Sequence, residues 1–581
     1  MKRINIKADL YSVPTTILLL AIVGVGIGVV VSLLAIAFYE AFLWLNKEFL
    51  IDPHERIQLA NNPLLLSLAT VGVPAVGGLL VGFIIYYFVS ARRPLGPPDT
   101  ILLVQTRGTP QPFGSSVAST FAAVLSLGCG ASVGHYGPLV YLGTLIGSLV
   151  SSLKLKIPNL QAICIASGVA AAISVAFNAP IAGMVFAHEV ILRHFSVKAF
   201  APTTVAAAIG FIIANVIFDR PPLFLVVFEG VQYSYEFVLF AVIGILGALL
   251  AVGYAKGILL CQSYASRSGI PEVFRPMVAG LILGVVALQF PEVLGVGRES
   301  LRFATIGGAF ELGELTILII AKIFVTILCL GFGFAGGVFG PILLIGILCG
   351  ALFGGILDQL QIFGHSGVVP YAICGMMAAA TPVIGAPLAM ILIVFELTRN
   401  YDLTTAAMVA VVFSNLLASR MFGRSLFDVR LAFRGFDLSL GRVNALISYG
   451  SVTEIMRTEY PIFSTRDKIG KVAYQLAHIG RTAGVVVDAN ERPVGVVHVR
   501  DCTGRPPTTL LKDVMNPETM RFSQDTNVGQ ALEAFRQSDY EVAPIVSAKT
   551  QKLLGIVYES DVISKYREIA DRIRQEEHDS I

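Results

Sequence analysis

Long apolar segments recur from near the start of this 581-residue chain to about Ser419, and they limit the folds that it can adopt. Only 14% of the residues are charged and the mean hydropathy is +0.75, whereas a soluble protein carries about 25% charged residues. The charged residues are concentrated after Gly441. We therefore expect a membrane domain over residues 1–440 and a soluble domain over residues 441–581.

Several of the apolar segments hold only about 12 to 17 residues, although a helix needs about 20 to cross the hydrocarbon core of a bilayer. Helices that end inside the membrane are tolerated only where their ends line a protein cavity or a water-filled path. The sequence thus predicts an all-α polytopic membrane domain with broken helices.

The first apolar segment, Thr15 to Tyr39, is too long for the apolar region of a signal peptide and lacks a cleavage site. Lys2, Arg3 and Lys7 precede it and favour a cytoplasmic N-terminus by the positive-inside rule. We expect an integral protein of the cell (inner) membrane with both termini in the cytoplasm.

Charge and cysteine usage exclude some functions. The net charge is +3 and the basic residues form no block, so the charge pattern does not indicate nucleic-acid binding. The seven cysteines form no C-x-x-C pair and most lie in apolar surroundings, which argues against a disulfide framework or a metal site.

Two pairs of segments show that the membrane part is duplicated. Residues 131–146 (ASVGHYGPLVYLGTLI) parallel 335–350 (AGGVFGPILLIGILCG), and 177–190 (FNAPIAGMVFAHEV) parallel 384–397 (IGAPLAMILIVFEL). Duplicated halves with Gly- and Pro-interrupted helices at matching positions are typical of transporters built from inverted repeats, with a binding site at the membrane midplane.

The loops Gly134–Pro138 and Gly337–Pro341 each precede an apolar helix directly. Glycine lets the backbone approach a ligand, and proline in the first turn removes a donor that would lack a partner anyway. Free N–H groups at the positive end of a helix dipole form an anion site without a formal charge. The alternative is that each loop is simply the start of a helix.

The soluble part contains one pattern twice: a leading Met segment, an amphipathic helix, and apolar strands that end on an aspartate. It resembles a tandem pair of CBS modules over Val452 to Asp501 and Asp513 to Asp561, which implies a cytoplasmic α/β domain. The charged stretch from Ser564 to Asp579 is predicted to be a final helix.

The glycine loops of the membrane part resemble the second and third pore motifs of the CLC family of chloride channels and proton/chloride antiporters, usually G-[KR]-E-G-P and G-x-F-x-P. The likeness extends to FNAP around Asn178, GAP ending at Pro387 and FELTRNY ending at Tyr401, and a C-terminal CBS pair is common in the family. The resemblance implies a homodimer with one pore per subunit, chloride or a similar small anion as the bound ion, no required cofactor and no enzymatic activity.

Two departures from the family pattern bear on mechanism. The family's gating glutamate, which competes with chloride and accepts protons, is replaced by Tyr136, and the internal proton-relay glutamate of the antiporters is replaced by Val190. A phenol has an ordinary pKa of about 10 and stays protonated at neutral pH. The neighbouring Glu189 matches a carboxylate found in channels and antiporters alike, so it does not restore coupling. The Tyr136 ring either plugs or narrows the outer mouth, or its hydroxyl donates to a passing anion. The alternative is that the ring only fills the space left by the glutamate.

The resemblance also assigns the remaining residues of an anion pathway. His135 replaces the usual basic residue and is either partly charged or a neutral core histidine. Gly137 and Gly340 complete the two loops, Val338 and Phe339 supply N–H donors, and Tyr401 matches the tyrosine whose hydroxyl reaches the central anion; its alternative is an interfacial aromatic.

The first pore motif is the poorest match. Its counterpart is Pro94–Asp99, in which Leu95 replaces the anion-binding serine and Gly96 is retained. The segment Ser268–Glu272 reads like the same motif, but we assign it to a structural loop of the second half. Lys322, which lies 17 residues before Phe339, either raises the pore potential or extends to the membrane interface.

In nucleotide-binding CBS modules the closing aspartate takes the ribose hydroxyls, with a Thr or Ser three residues earlier. The aspartates here are Asp501 and Asp561, but the preceding positions are His498 and Tyr558. The CBS pair either binds an adenine nucleotide or serves only as a structural dimerising domain.

The sequence favours a passive chloride channel. The first alternative is a secondary anion transporter coupled to protons or to another anion through non-standard residues. A divalent-cation channel with CBS regulation would need carboxylates at the membrane midplane, and the pore motifs offer helix N-termini instead.

Overall fold

The computed structural model describes residues 6–58, 62–153, 157, 159–220, 228, 230–304, 306, 311–361, 364–517 and 520–578. The chain forms two compact units, of which the first ends at Arg430 and the second begins at Leu431. The sequence places this boundary after residue 440. Lys2, Arg3 and Asp579 lie outside the described residues.

The first half of unit one is helical. Its helices are α1 Ile6–Glu48, α2 Pro53–Gln58, α3 Pro63–Phe88, α4 Pro97–Thr106, α5 Phe113–Gly128, α6 Tyr136–Ser151, α7 Leu160–Phe177, α8 Pro180–Phe186 and α9 Val197–Phe211. The last two continue as the π-helical turns Ala187–Leu192 and Ile212–Ile217. The first helix is longer than the apolar segment that predicts it.

The second half repeats this order. Its helices are α10 Glu236–Arg267, α11 Arg275–Gln289, α12 Arg298–Phe303, α13 Leu312–Gly331, α14 Phe339–Leu360, α15 Val368–Ile384, α16 Pro387–Thr398 and α17 Tyr401–Met421, followed by α18 Leu426–Ala432. Short 3₁₀ turns, Glu272–Phe274 and Pro291–Val293, flank α11.

The contacts between helices confirm the inverted repeat. The pair α1 and α9 corresponds to α10 and α17, and the pair α6 and α7 corresponds to α14 and α15. Helices α3 and α8 pack on their own counterparts, α11 and α16, as a two-fold relation requires. Among the described residues, nine helical segments are long and apolar enough to cross a membrane, and five shorter apolar helices confirm the predicted broken helices.

Glycine contacts hold the paired helices together at equivalent positions. A Cβ atom on Gly143 of α6 would lie 2.4 Å from the carbonyl oxygen of Gly168 on α7. In the second half, a Cβ on Gly346 of α14 would lie 2.7 Å from the carbonyl oxygen of Gly375 on α15. Only small residues allow such close backbone approach between membrane helices.

Unit two contains the predicted pair of α/β modules. After α19 Arg442–Tyr449, the elements are β1 Ile462–Ser464, α20 Ile469–His478, β2 Ala483–Val487, β3 Pro493–His498, α21 Val499–Cys502, β4 Phe522–Ser523, α22 Val528–Arg536, β5 Val542–Val546, β6 Leu553–Tyr558 and α23 Glu559–His578. The charged end of the chain is thus helical as far as His578.

The two sheets have the same topology. The strand orders are β1-β2-β3 and β4-β5-β6, and in each the first pair is parallel and the second antiparallel. Even the register shift recurs, between Val486 and Val487 and between Ile545 and Val546. A shared apolar cluster joins the modules; its buried members are Ala483, Val485, Val496, Val542, Ile556 and Tyr558.

Candidate functional site

The two glycine loops of unit one meet directly. The Gly134 N–H donates to the Gly337 carbonyl at 2.8 Å, and the Gly337 N–H donates to the Gly134 carbonyl at 2.6 Å. A Cβ atom on Gly134 would lie 2.7 Å from the Gly340 nitrogen. The duplicated motifs therefore face each other across the two-fold relation, and only glycine fits at this contact.

Both loops end in the same backbone geometry. His135 (φ −86°, ψ −19°) precedes α6, and Val338 (φ −83°, ψ −19°) precedes α14. The first-turn N–H groups of a helix have no intrahelical acceptor and carry its partial positive charge. The two helix N-termini, which begin at Tyr136 and Phe339, thus lie side by side, as a shared anion site requires.

Three aromatic rings lie at this junction. The Tyr136 side chain is only 2% exposed, and its ring stacks on Phe177 at a centroid distance of 4.1 Å and an angle of 7°. Phe339 lies 5.1 Å from Tyr136 and 5.2 Å from Phe177. Phe177 is a functional candidate that the motifs missed, although it begins FNAP, where α7 ends.

His135 is buried in an aromatic environment. Its ring lies 4.0 Å from Tyr136, 5.5 Å from Tyr39 and 5.9 Å from Phe42. Next to it lies a cavity of about 260 Å³. The cavity is lined by Ala35, Tyr39, Glu40, Leu43, His135, Leu139, Val175, Ala176, Phe177, Asn178, Phe218, Asp219 and Arg220.

The loop that contains Leu95 and Gly96 joins the same region. A Cβ atom on Gly137 would lie 3.7 Å from Cδ of Pro97, the first residue of α4. Gly96 donates its N–H to the Asp99 carboxylate at 3.0 Å, which fixes the start of that helix. The N-terminus of α4 is therefore a third helix start beside the paired loops.

Ser119 and Lys322 occupy equivalent positions in the two halves and tether equivalent loops. Ser119 Oγ accepts the Leu95 N–H at 3.0 Å, whereas Lys322 Nζ donates to the carbonyls of Val293 and Gly295 at 2.7 and 2.9 Å. Lys322 has no exposed surface, so the expectation that it extends to the membrane interface is wrong. Its amine is held by loop carbonyls instead.

Glu189 and Glu396 form a matched pair of helix caps. Glu189 accepts the Leu388 and Ala389 N–H groups of α16 at 3.0 and 2.9 Å. Glu396 accepts the equivalent Ile181 and Ala182 N–H groups of α8 at 2.9 and 2.8 Å.

This pairing commits the Glu189 carboxylate to a helix N-terminus. Val190, beside it, lies in the π-helical turn and is fully buried. Glu189 therefore holds two halves of the fold together.

The structure does not bring Tyr401 to the ring cluster, contrary to the sequence-based assignment. Its side chain is 76% exposed at the first residue of α17. Arg399 ends α16 in the left-handed conformation, and the Asn400 side chain accepts the Leu403 N–H at 2.9 Å to cap α17. The segment that suggests a pore tyrosine is therefore a helix–helix turn.

The segment Ser268–Glu272 connects α10 to α11, whereas Pro94–Asp99 includes the start of α4 at Pro97. The two segments therefore occupy different positions in the repeat. Gly269 has a φ of +72° in open space, as a turn requires. The assignment of Ser268–Glu272 to a structural loop agrees with this placement.

In unit two, both candidate ribose-binding aspartates already have partners. Asp501 accepts the His498 N–H at 3.1 Å, and the His498 side chain is only 6% exposed. Asp561 accepts two hydrogen bonds from the Arg457 guanidinium, at 2.6 and 2.7 Å. Burial alone would raise the pKa of Asp561, but the Arg457 pair, together with the Tyr558 backbone and the charge of Arg481, holds that pKa below its ordinary value.

An open cavity of about 570 Å³ borders Tyr558. It is lined by Arg457, Glu459, Tyr460, Pro461, Tyr474, Gln475, His478, Ile479, Arg481 and Tyr558. Arg481 lies over the Tyr558 ring at 4.3 Å. Two guanidinium groups among aromatic side chains suit a ligand with an anionic group and a flat ring. His498 and Asp501 do not line this cavity.

Comparisons with known proteins agree with this arrangement. The family model described as Voltage gated chloride channel matches residues 77–419, and that for the CBS domain matches residues 452–505 and 511–568.

Individual proteins match over most of their own length. A ClcB-like chloride channel protein of Ralstonia nicotianae is 28% identical over 68% of this chain and 92% of its own. The H(+)/Cl(-) exchange transporter ClcA of Yersinia pseudotuberculosis is 27% identical over 74% of this chain and 91% of its own. The crystal structure of a eukaryotic CLC transporter superimposes with a TM-score of 0.59 and 19% identity, covering 94% of this chain and 98% of that one.

Proposed function

Because this chain belongs to the CLC family, which includes chloride channels and proton/chloride antiporters, we propose that it conducts chloride or a similar small anion passively, without exchanging protons. The pathway that we propose passes the N-termini of α4, α6 and α14. The residues that we assign to it are Leu95, Gly96, His135, Tyr136, Gly137, Val338, Phe339 and Gly340.

The buried Tyr136 ring carries the proposal. It occupies the position of the family's gating carboxylate, is 2% exposed, stacks on Phe177 and contacts Phe339 at a tilt of 48°. A phenol in such surroundings has no accessible charge with which to compete for an anion or to carry a proton. Val190, at the second relay position, offers no titratable group at all.

A coupled transporter is the competing function, and one relative named above is an H(+)/Cl(-) exchange transporter. Coupling in this chain would have to run through groups other than residues 136 and 190. Glu189 is a poor substitute because its carboxylate already accepts two backbone N–H groups.

The test is the reversal potential of the purified protein in planar bilayers under a fixed chloride gradient. We expect the potential to stay at the chloride equilibrium value when a pH gradient of about two units is imposed, because neither Tyr136 nor Val190 offers a carboxylate that could move protons with chloride. A reproducible shift with the pH gradient would contradict passive conduction and favour the transporter.

We further propose that the protein works as a homodimer with one pore in each subunit, in the cell (inner) membrane and with cytoplasmic termini.

For unit two we propose adenine nucleotide binding at the cavity beside Tyr558. Arg457 and Arg481 would face the phosphates, and the ring at Tyr558 would contact the base. The cavity size and its two guanidinium groups support this proposal.

A further inference from the structure

The cavity beside His135 has a charged rim that the pore motifs do not explain. Arg220, Glu40 and Asp219 all line it. Arg220 Nη2 lies 3.3 Å from Glu40 Oε1. Of the described residues that line this cavity, Arg220 alone carries a permanent positive charge.

The Arg220 guanidinium is held in place independently of Glu40. Its carbon lies 3.9 Å from the centroid of the Tyr39 ring, and the side chain is only 15% exposed. The Arg220 backbone is fixed as well, since its N–H donates to the Ala214 carbonyl and its own carbonyl accepts the Asn178 side chain, both at 3.1 Å. The cation therefore stays at the cavity wall when its acidic partner moves away.

Glu40 is the weaker partner of this pair. Its side chain is 63% exposed, and at 3.3 Å it makes a long contact with one guanidinium nitrogen. Exposed ion pairs of this kind contribute little, and dissolved salt screens them further. A small anion at ordinary concentrations can therefore replace the Glu40 carboxylate without disturbing the fold.

We propose that Arg220 forms an outer binding site for small inorganic anions, and that Glu40 competes with the anion for this site. The inference extends the proposed conduction and rests on it. The cavity wall includes His135 and Phe177, whose rings contact Tyr136 at 4.0 and 4.1 Å. The ring of His135 or Phe177 thus lies between an anion at Arg220 and Tyr136, the first residue of α6.

Asp219 keeps this site weak. It is exposed on the same rim, so its carboxylate lowers the local positive potential. Weak binding suits a conducting pathway, because an ion that binds tightly cannot leave. Arg220 therefore recruits anions from the cavity side, and Glu40 sets the anion concentration at which the site is half occupied.

The experiment measures conductance in planar bilayers while chloride is varied on one side at a time, for Arg220→Gln, Glu40→Gln and the double variant. From the cavity side, we expect Arg220→Gln to raise the half-saturating chloride concentration about tenfold, and Glu40→Gln to lower it several-fold. Glu40→Gln should have no further effect once Arg220 is replaced. From the opposite side, neither variant should change half-saturation.

Glu48→Gln and Arg92→Gln are matched controls that should behave as wild type. Glu48 is an exposed acid on the same helix, and Arg92 also lies over a tyrosine ring, Tyr86, at 4.6 Å, but neither lines the cavity. The inference is overturned if half-saturation is unchanged in Arg220→Gln, or if it shifts equally from both sides.

A protein that carries no chloride current would contradict the proposed function. The Arg220 site would then be tested by measuring chloride binding directly. Titration calorimetry of the detergent-solubilised chain with chloride should then show a weaker binding isotherm for Arg220→Gln than for wild type. Identical isotherms would refute the Arg220 site.

Discussion

At the scale of single residues, the position of Tyr136 is compatible with two roles, a gate of the pathway and a residue that only fills space. Its ring is buried against Phe177 and Phe339, and it begins helix α6, whose N–H groups point towards the paired loops. As a gate, the ring would block the route that an anion would take along the helix N-terminus. A ring that only fills space would leave the route beside it open. The two roles therefore predict different effects of truncating the Tyr136 side chain on conductance.

We expect Tyr136→Ala to raise single-channel conductance several-fold, up to about tenfold if the ring contributes a barrier of ~1.4 kcal/mol. The measurement is single-channel recording in symmetrical chloride. Removing a buried aromatic side chain costs about 3–5 kcal/mol of stability, so the variant is first checked for a monodisperse elution profile.

Tyr136→Phe is the control, since it keeps the ring and removes only the hydroxyl group. Wild-type conductance in Tyr136→Phe, together with increased conductance in Tyr136→Ala, identifies the ring as the barrier. Unchanged conductance in a well-folded Tyr136→Ala protein would show that the ring only fills space.

At the scale of elements, the two halves of unit one are joined by exchanged helix caps. Each of Glu189 and Glu396 reaches across the two-fold relation to the N-terminus of the other half's short helix. Both short helices begin with proline, so the glutamates satisfy the next two N–H groups. A carboxylate at this end also interacts favourably with the helix dipole.

We expect Glu189→Ala and Glu396→Ala to lower the stability of the detergent-solubilised protein by similar amounts, about 2 kcal/mol each, because each removes two charge-assisted hydrogen bonds. Thermal unfolding followed by circular dichroism measures the effect. Glu272→Ala, at an exposed turn, should unfold at the wild-type temperature. A large shift for one glutamate and none for the other would contradict equivalent roles.

The elements also show what sequence can and cannot predict. The glycine loops and the short helices follow from local pattern, because Gly–x–x–Gly–Pro at a helix start has few other uses in a membrane. Tyr401 was misassigned because a capped turn and a pore segment share polar and aromatic residues. Arg220 gave no signal, since its contacts with Tyr39 and Glu40 depend on the packing of α1 against α9 and the π-helical turn that follows it.

At the scale of the whole molecule, the chain is a membrane unit with a second unit attached. The Ralstonia relative aligns with 68% of this chain and with 92% of its own length, so about a third of this chain has no counterpart in that alignment. Unit two holds a cavity of about 570 Å³ that is lined by two guanidinium groups. A domain with a purely structural role would not need such a cavity. The proposed nucleotide would give this cavity a use.

We expect titration calorimetry of the full-length, detergent-solubilised protein with ATP, ADP and AMP to show saturable binding of at least one nucleotide. Arg481→Gln should weaken it about tenfold, because Arg481 lies at 4.3 Å over Tyr558 on the cavity wall. Asp561→Asn should also change the affinity, since it releases Arg457 from its bidentate pair and removes a carboxylate suited to ribose hydroxyls.

Asp501→Asn is the matched control. Asp501 occupies the equivalent position in the other module, but its partners His498 and Arg500 do not line the cavity, whereas Arg457, the partner of Asp561, does. Equal weakening by Asp501→Asn and Asp561→Asn would point to a general loss of folding in unit two. Absence of binding heat for all three nucleotides would contradict the nucleotide site and leave unit two as a dimerising domain. Asymmetric effects, with Asp561 sensitive and Asp501 silent, follow only if the ligand occupies the cavity beside Tyr558.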